Sequence, residues 1–143
     1  MHGSTLEPDT DFQESMASRL LLIEDVDDIR AILQFSLGIL SGWQVFTIKS
    51  TQDWFALAQY VLPDVILLDE HSNSSEILAQ LKANALTRKI PVVCLVSRDR
   101  LSDQLQTQQD GATAIVGKPF DPIALTQTIL NIVGAEGEGE MSR

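Results

Sequence analysis

Glu24-Asp25, Asp69 and Lys118 are the residues of this 143-residue chain whose types and placement could do chemistry. Each closes a short apolar run of strand character. Leu20-Leu21-Leu22-Ile23 leads into Glu24-Asp25, Val65-Ile66-Leu67-Leu68 into Asp69, and Thr113-Ala114-Ile115-Val116 into Gly117-Lys118-Pro119-Phe120. If these runs are neighbours in one parallel sheet, three carboxylates and one ammonium converge at one edge. Carboxylates that close repel one another, and a hard divalent cation such as Mg2+ neutralises them through oxygen ligands. Each residue alone has a plainer reading: acids favour a helix N-terminus, Asp69 could be a loop acid, and Lys118 a surface lysine. The combination is what points to a site.

The elements that must position these groups alternate along the chain. Apolar or β-branched runs at 20–23, 44–48, 65–68, 91–96 and 113–116 predict strands, and helical spacing occupies 27–40, 51–62, 74–85, 99–110 and 121–133. Ile29, Ile32, Leu33, Leu37 and Leu40 form the apolar stripe of the first helix, with Asp27 as its expected cap. Trp54, Leu57, Ala58 and Val61 serve the second, which Pro63 stops, and Ile77, Leu78 and Leu81 serve the third. Leu101 and Leu105 give the fourth a thin stripe; Ile123, Ile129, Leu130 and Val133 give the fifth a fuller one, with Pro122 in its first turn and Gly134 at its end. Five strand–helix units in strict alternation predict an α/β fold, a five-stranded parallel sheet between two helical layers. Ligands of such doubly wound sheets bind outside the carboxyl ends of the strands, where Glu24, Asp25, Asp69 and Lys118 all lie.

Bulk composition narrows the class. Hydrophobic residues make up 44% of the chain, enough for a real core. The net charge of −10 argues against nucleic-acid phosphates or an anionic membrane as partners. Residues 1–18 and 135–143 supply six of those ten charges and are expected to be solvated, disordered tails around a domain at 19–134. Cys94, the one cysteine, lies in an apolar strand and reads as a small buried residue. Neither a signal peptide nor a membrane-spanning run is apparent, so the expected location is cytoplasmic.

With Glu24-Asp25 after the first strand, Asp69 after the third and Lys118-Pro119 after the fifth, residues 19–134 resemble the receiver domain of bacterial two-component response regulators. The runs Glu24-Asp25-Val26-Asp27-Asp28-Ile29-Arg30 and Ile90-Pro91-Val92-Val93 add to the likeness. The resemblance implies a flavodoxin-like strand order 2-1-3-4-5 and a set of roles. Asp69 is then the phosphoacceptor, taking a phosphoryl group from a phosphohistidine and becoming an acyl phosphate. Glu24, Asp25, Asp69 and the backbone carbonyl of His71 hold Mg2+, and Lys118 pairs first with Asp69 and then with the phosphoryl oxygens. The Lys118–Pro119 peptide bond is expected to be cis. Phosphoryl transfer asks a protein mainly for positioning and charge neutralisation, which these groups supply.

Three departures bear on the readout. Receivers usually end the fourth strand with Thr or Ser, but Val96 stands there and has no hydroxyl. Ser97 is adjacent, yet successive strand residues point to opposite faces. Receivers also carry an aromatic residue in the fifth strand where this chain has Ile115, and the loop Glu70-His71-Ser72-Asn73 is shorter than usual, with Asn73 a candidate cap for the next helix.

The expected function is a stand-alone, single-domain response regulator of a phosphorelay, a phosphoprotein rather than an enzyme. Its partners are a histidine kinase or histidine phosphotransfer protein and a downstream target met by the fourth helix, fifth strand and fifth helix. The alternative is a pseudo-receiver, a protein-binding module that works without phosphorylation. A flavin carrier is disfavoured because acids, not Gly, Ser and Thr, follow the first strand.

Overall fold

The computed structural model describes residues 18–69, 74–97, 106–118 and 120–141. Five strands, β1 (Arg19–Ile23), β2 (Gln44–Ile48), β3 (Val65–Asp69), β4 (Val92–Ser97) and β5 (Ala114–Lys118), form one sheet in the order β2-β1-β3-β4-β5. All four neighbouring pairs are parallel, so every carboxyl end opens on the same rim. Around the sheet run α1 (Asp27–Ser41), α2 (Trp54–Val61), α3 (Ser74–Ala83), α4 (helical at 106–109) and α5 (Pro122–Met141).

Side chains alternate between the two faces of the sheet. Leu21, Ile23, Ile66, Leu68, Cys94 and Val96 pack with Trp54, Ala58, Ile77, Leu78 and Leu81 from α2 and α3. Leu20, Leu22, Val65, Leu67, Val93 and Leu95 pack with Leu33 and Leu37 of α1 and Leu125 and Ile129 of α5. The central strands β1, β3 and β4 are apolar almost without interruption because they are covered on both sides.

The helices depart from expectation in three places. Asp27 does not cap α1: Val26 holds the N-cap position without a side-chain bond, and the Asp27 carboxylate turns to Arg30 Nη2 at 2.6 Å. The second helix starts at Trp54 rather than 51, because Asp53 accepts from the Ala56 N–H and fixes the entry there. It ends with Leu62 in the left-handed region at φ 49°, before Pro63. Gly134 does not end α5, which continues to Met141 through a stretch of Ala, Glu and Gly without proline. The expected tail at 135–143 is therefore helical over most of its length.

The α1 stripe is narrower than its sequence suggests. Leu33 and Leu37 are buried, whereas Ile32, Phe35 and Ile39 are 57, 69 and 67% exposed and Leu40 also faces outward. Ile123 of α5 is exposed too, and Leu125 takes the core position expected for it. No charged residue occurs between 31 and 41, so the outward side of α1 is both apolar and uncharged beyond its first turn. Among the described residues no helix is long and apolar enough to cross a membrane.

Candidate functional site

The rim of the sheet brings the predicted groups into one neighbourhood. Asp69 ends β3 and is nearly buried, and Lys118 ends β5, two strands away. Lys118 Nζ reaches across β4 to Asp69 Oδ1 at 2.7 Å, a charge-assisted bond with its acid largely withdrawn from water. Glu24 follows β1 and is fully buried. Its backbone N–H extends the ladder to the Ile48 carbonyl at 3.0 Å, and its carbonyl accepts from Arg30 Nη1 at 3.1 Å.

The Glu24 carboxylate is only half satisfied. Oε2 accepts from the Val26 N–H at 3.1 Å, while Oε1 is buried and has no hydrogen-bond partner among the described residues. Burial pushes its carboxyl above the usual glutamate range. The Val26 N–H and the Lys118 charge oppose that shift, and the negative charges of Asp69 and Asp25 add to it. Outside this pocket, Asp27 is exposed and held below the ordinary aspartate range by its bond from Arg30 and by Lys49 at 3.6 Å.

Asp25 faces a different way. Its Oδ1 accepts from the Ser50 N–H and its Oδ2 from Ser50 Oγ, each at 2.7 Å. Among the described residues no three acidic, histidine or cysteine side chains are grouped as a metal site. The residues nevertheless fit a hard cation in one respect: Glu24 Oε1 is a buried carboxylate oxygen with no hydrogen-bond donor among the described residues, and Asp69 and Lys118 act on the same carboxyl. His71, the Lys118–Pro119 bond and the Asn73 cap lie outside the described residues.

On the β4–β5 side, Val96 is fully buried in the α2/α3 core and Ile115 packs against it. The strand neither stops nor bulges before Ser97, which pairs in register with Lys118 and is partly exposed. Asp69 is level with Leu95, so strand alternation sets Ser97 on the Leu95 side and Val96 on the other. Sequence reasoning missed Ser50. The available signal was register: Ile23 pairs with Ile48, so two residues on, Asp25 meets Ser50.

A parallel sheet in this order, with acids after β1 and β3 and a lysine ending β5, defines a receiver-type α/β protein. The profile of the response regulator receiver domain matches residues 20–130, and the chain belongs to that family. Among curated relatives, the phosphate regulon transcriptional regulatory protein PhoB of Escherichia coli is 32% identical over 117 residues, 80% of this chain and 51% of that protein. The response regulator PleD of Caulobacter vibrioides is 30% identical over 113 residues, 77% of this chain and 25% of that protein. The chain thus spans about half the length, or less, of these relatives. Solved structures share the fold. A putative response regulator from Chloroflexus aurantiacus superposes with a TM-score of 0.76 at 22% identity, over 82% of this chain and 98% of that one. The receiver domain of sensor histidine kinase PA1611 from Pseudomonas aeruginosa, described with a magnesium ion coordinated in its active site cleft, gives 0.73 at 21% identity over 82% and 98%.

Proposed function

We propose that this receiver accepts a phosphoryl group on Asp69 from a phosphohistidine of a histidine kinase or phosphotransfer protein. The observation that carries the proposal is the 2.7 Å bond between Lys118 Nζ and Asp69 Oδ1 at the carboxyl edge of the sheet. A carboxylate oxygen of Asp69 attacks phosphorus, the phosphorus–nitrogen bond breaks, and the imidazole leaves with its electron pair. The product is an acyl phosphate on Asp69. Lys118 holds the acceptor in place beforehand and can follow the charge onto the phosphoryl oxygens as it moves. Glu24, Asp25 and Asp69, with the His71 carbonyl, are the groups proposed to hold Mg2+. When bound, the cation neutralises charge shared between these carboxylates and the phosphoryl group. The chain is consumed as acceptor once per transfer and is not an enzyme in this reading.

The donor must approach the rim. A groove of about 480 Å³ lined by Ile29, Ile32, Leu33, Lys118, Phe120 and Pro122 leads to it between α1 and the start of α5. Its uncharged flank suits a protein donor better than a nucleic acid or an anionic membrane, which the net charge of −10 also disfavours. In this reading the exchange takes place in the cytoplasm of a bacterium, and the face formed by α4, β5 and α5 is the proposed contact for a downstream target.

A second reading, a phosphorylation-independent binding module of receiver fold, has observations of its own. Val96 offers no hydroxyl, Ile115 no rotating ring, and Asp25 is engaged by Ser50. Incubation with phosphoramidate and MgCl2, followed by intact-mass measurement, separates the readings. Phosphoacceptance gives one added phosphoryl group that is lost in Asp69→Asn. No gain on the unaltered chain, under conditions that label an ordinary receiver, selects the binding module.

A further inference from the structure

We propose that Ser50 is a latch that competes with the divalent cation for the carboxylate of Asp25. This rests on the cation-assisted reading of the rim given above. The latch is built by register. β1 and β2 run in parallel with Ile23 opposite Ile48, and the ladder continues one step beyond the strands through the Glu24 N–H and the Ile48 carbonyl. One residue further, Asp25 and Ser50 face each other. The Ser50 N–H and Oγ donate to the two oxygens of Asp25, both at 2.7 Å, and Ser50 is itself only 9% exposed.

Two donors on two oxygens fix both the position and the plane of a carboxylate. The three rim acids are thereby shared out. Asp69 is on Lys118, Asp25 is on Ser50, and Glu24 Oε2 is on the Val26 N–H while Oε1 is left bare. Each partner offsets part of one acid's charge when no cation is near, while Asp69 and Asp25 still raise the Glu24 carboxyl. In this proposal the cation draws Asp25 toward Glu24 and Asp69 and away from the Ser50 hydroxyl, so the strength of that bond is subtracted from the cation's affinity.

The test is calorimetric titration of the full chain with MgCl2. Ser50→Ala keeps the backbone bond and loses the hydroxyl bond, and is expected to bind about tenfold more tightly, the scale of one hydrogen bond to a charged group. Ser50→Thr keeps a hydroxyl and stays within about twofold of the parent; it also serves if Ser50→Ala folds poorly. In nitrogen–proton correlation spectra the Ser50 amide should shift as Mg2+ is added. Unchanged or weaker binding in Ser50→Ala overturns the latch, as does binding that leaves the Ser50 amide unmoved. If the parent gives no measurable heat, the latch requires that Ser50→Ala does; silence in both also overturns it. Asp25→Asn tells the two failures apart. If it weakens binding, the latch alone is lost; if it binds Mg2+ as the parent does, Asp25 is no ligand and the cation reading of the rim falls with the latch.

Discussion

At the ends of β1, β3 and β5 the sheet carries ionisable groups with defined partners, while Val96 of β4 and Ile115, further back on β5, are a buried and a half-buried apolar side chain. The two regions share strands and core, yet differ in what they can respond to. The first can take up charge, because Lys118 and the acids answer one another across the rim. The second can answer only by repacking, since neither Val96 nor Ile115 has a side-chain donor or acceptor. In the proposed reading, capture and readout are therefore separable, and the readout side is free to be a fixed docking surface.

The largest expected break of that comparison comes from Lys118→Ala. Losing a charge-assisted partner of a nearly buried acid should slow phosphoryl uptake from a small donor about 100-fold, measured as a mass-gain time course. A loss below tenfold would move Lys118 out of the capture machinery. Ile32→Glu should slow transfer from a protein donor about tenfold, as for a central contact residue, and leave uptake from phosphoramidate unchanged. Equal slowing with both donors would show damage to the rim rather than to docking. Val96→Thr places a hydroxyl in the apolar region and should cost about 2 kcal/mol, lowering the melting midpoint by about 5 °C. An unchanged midpoint would mean that the hydroxyl finds a partner there, and the contrast between the regions would fail.

The smallest effect is also the most specific. Burial raises the Glu24 carboxyl above its ordinary value of 4.5, so the fold binds this proton more tightly than the unfolded chain does. Its contribution to stability then grows as pH falls through the raised folded-state value toward 4.5, and is lost as pH rises back through that window. Glu24→Gln should abolish this pH dependence and stabilise the cation-free chain at neutral pH by about 1 kcal/mol, read from melting midpoints across the same window.

Much of this arrangement could be read from the chain before its structure. Apolar runs ending in Asp69 and Lys118 located the strands, because a strand covered on both faces leaves no room for polar residues until it reaches the rim. The bond between those two residues followed from parallel pairing and the borrowed strand order. The clasp of Asp25 by Ser50 did not, because it depends on register between β1 and β2, and a single serine after a strand has no pattern of its own. Helix ends were also poorly legible. Asp27 is the expected cap of α1, but Arg30 and Lys49 draw it outward, whereas Asp53, not singled out in the sequence, caps α2 by accepting from the Ala56 N–H. Gly134 resembles a terminator, yet α5 runs through it to Met141, and no local propensity in this glycine-rich stretch accounts for that.

The bare outer side of α1 has a consequence for handling the protein. Ile32, Phe35 and Ile39 present oily surface to water on a stretch of helix, 31–41, that carries no charge of its own to keep another molecule at arm's length. What holds copies apart is the overall surplus of negative charge, a long-range force that dissolved ions shorten to about 8 Å at physiological strength. Concentrated sulfate weakens the repulsion and strengthens oily contacts together, so the chain should crowd and precipitate through this helix long before it unfolds.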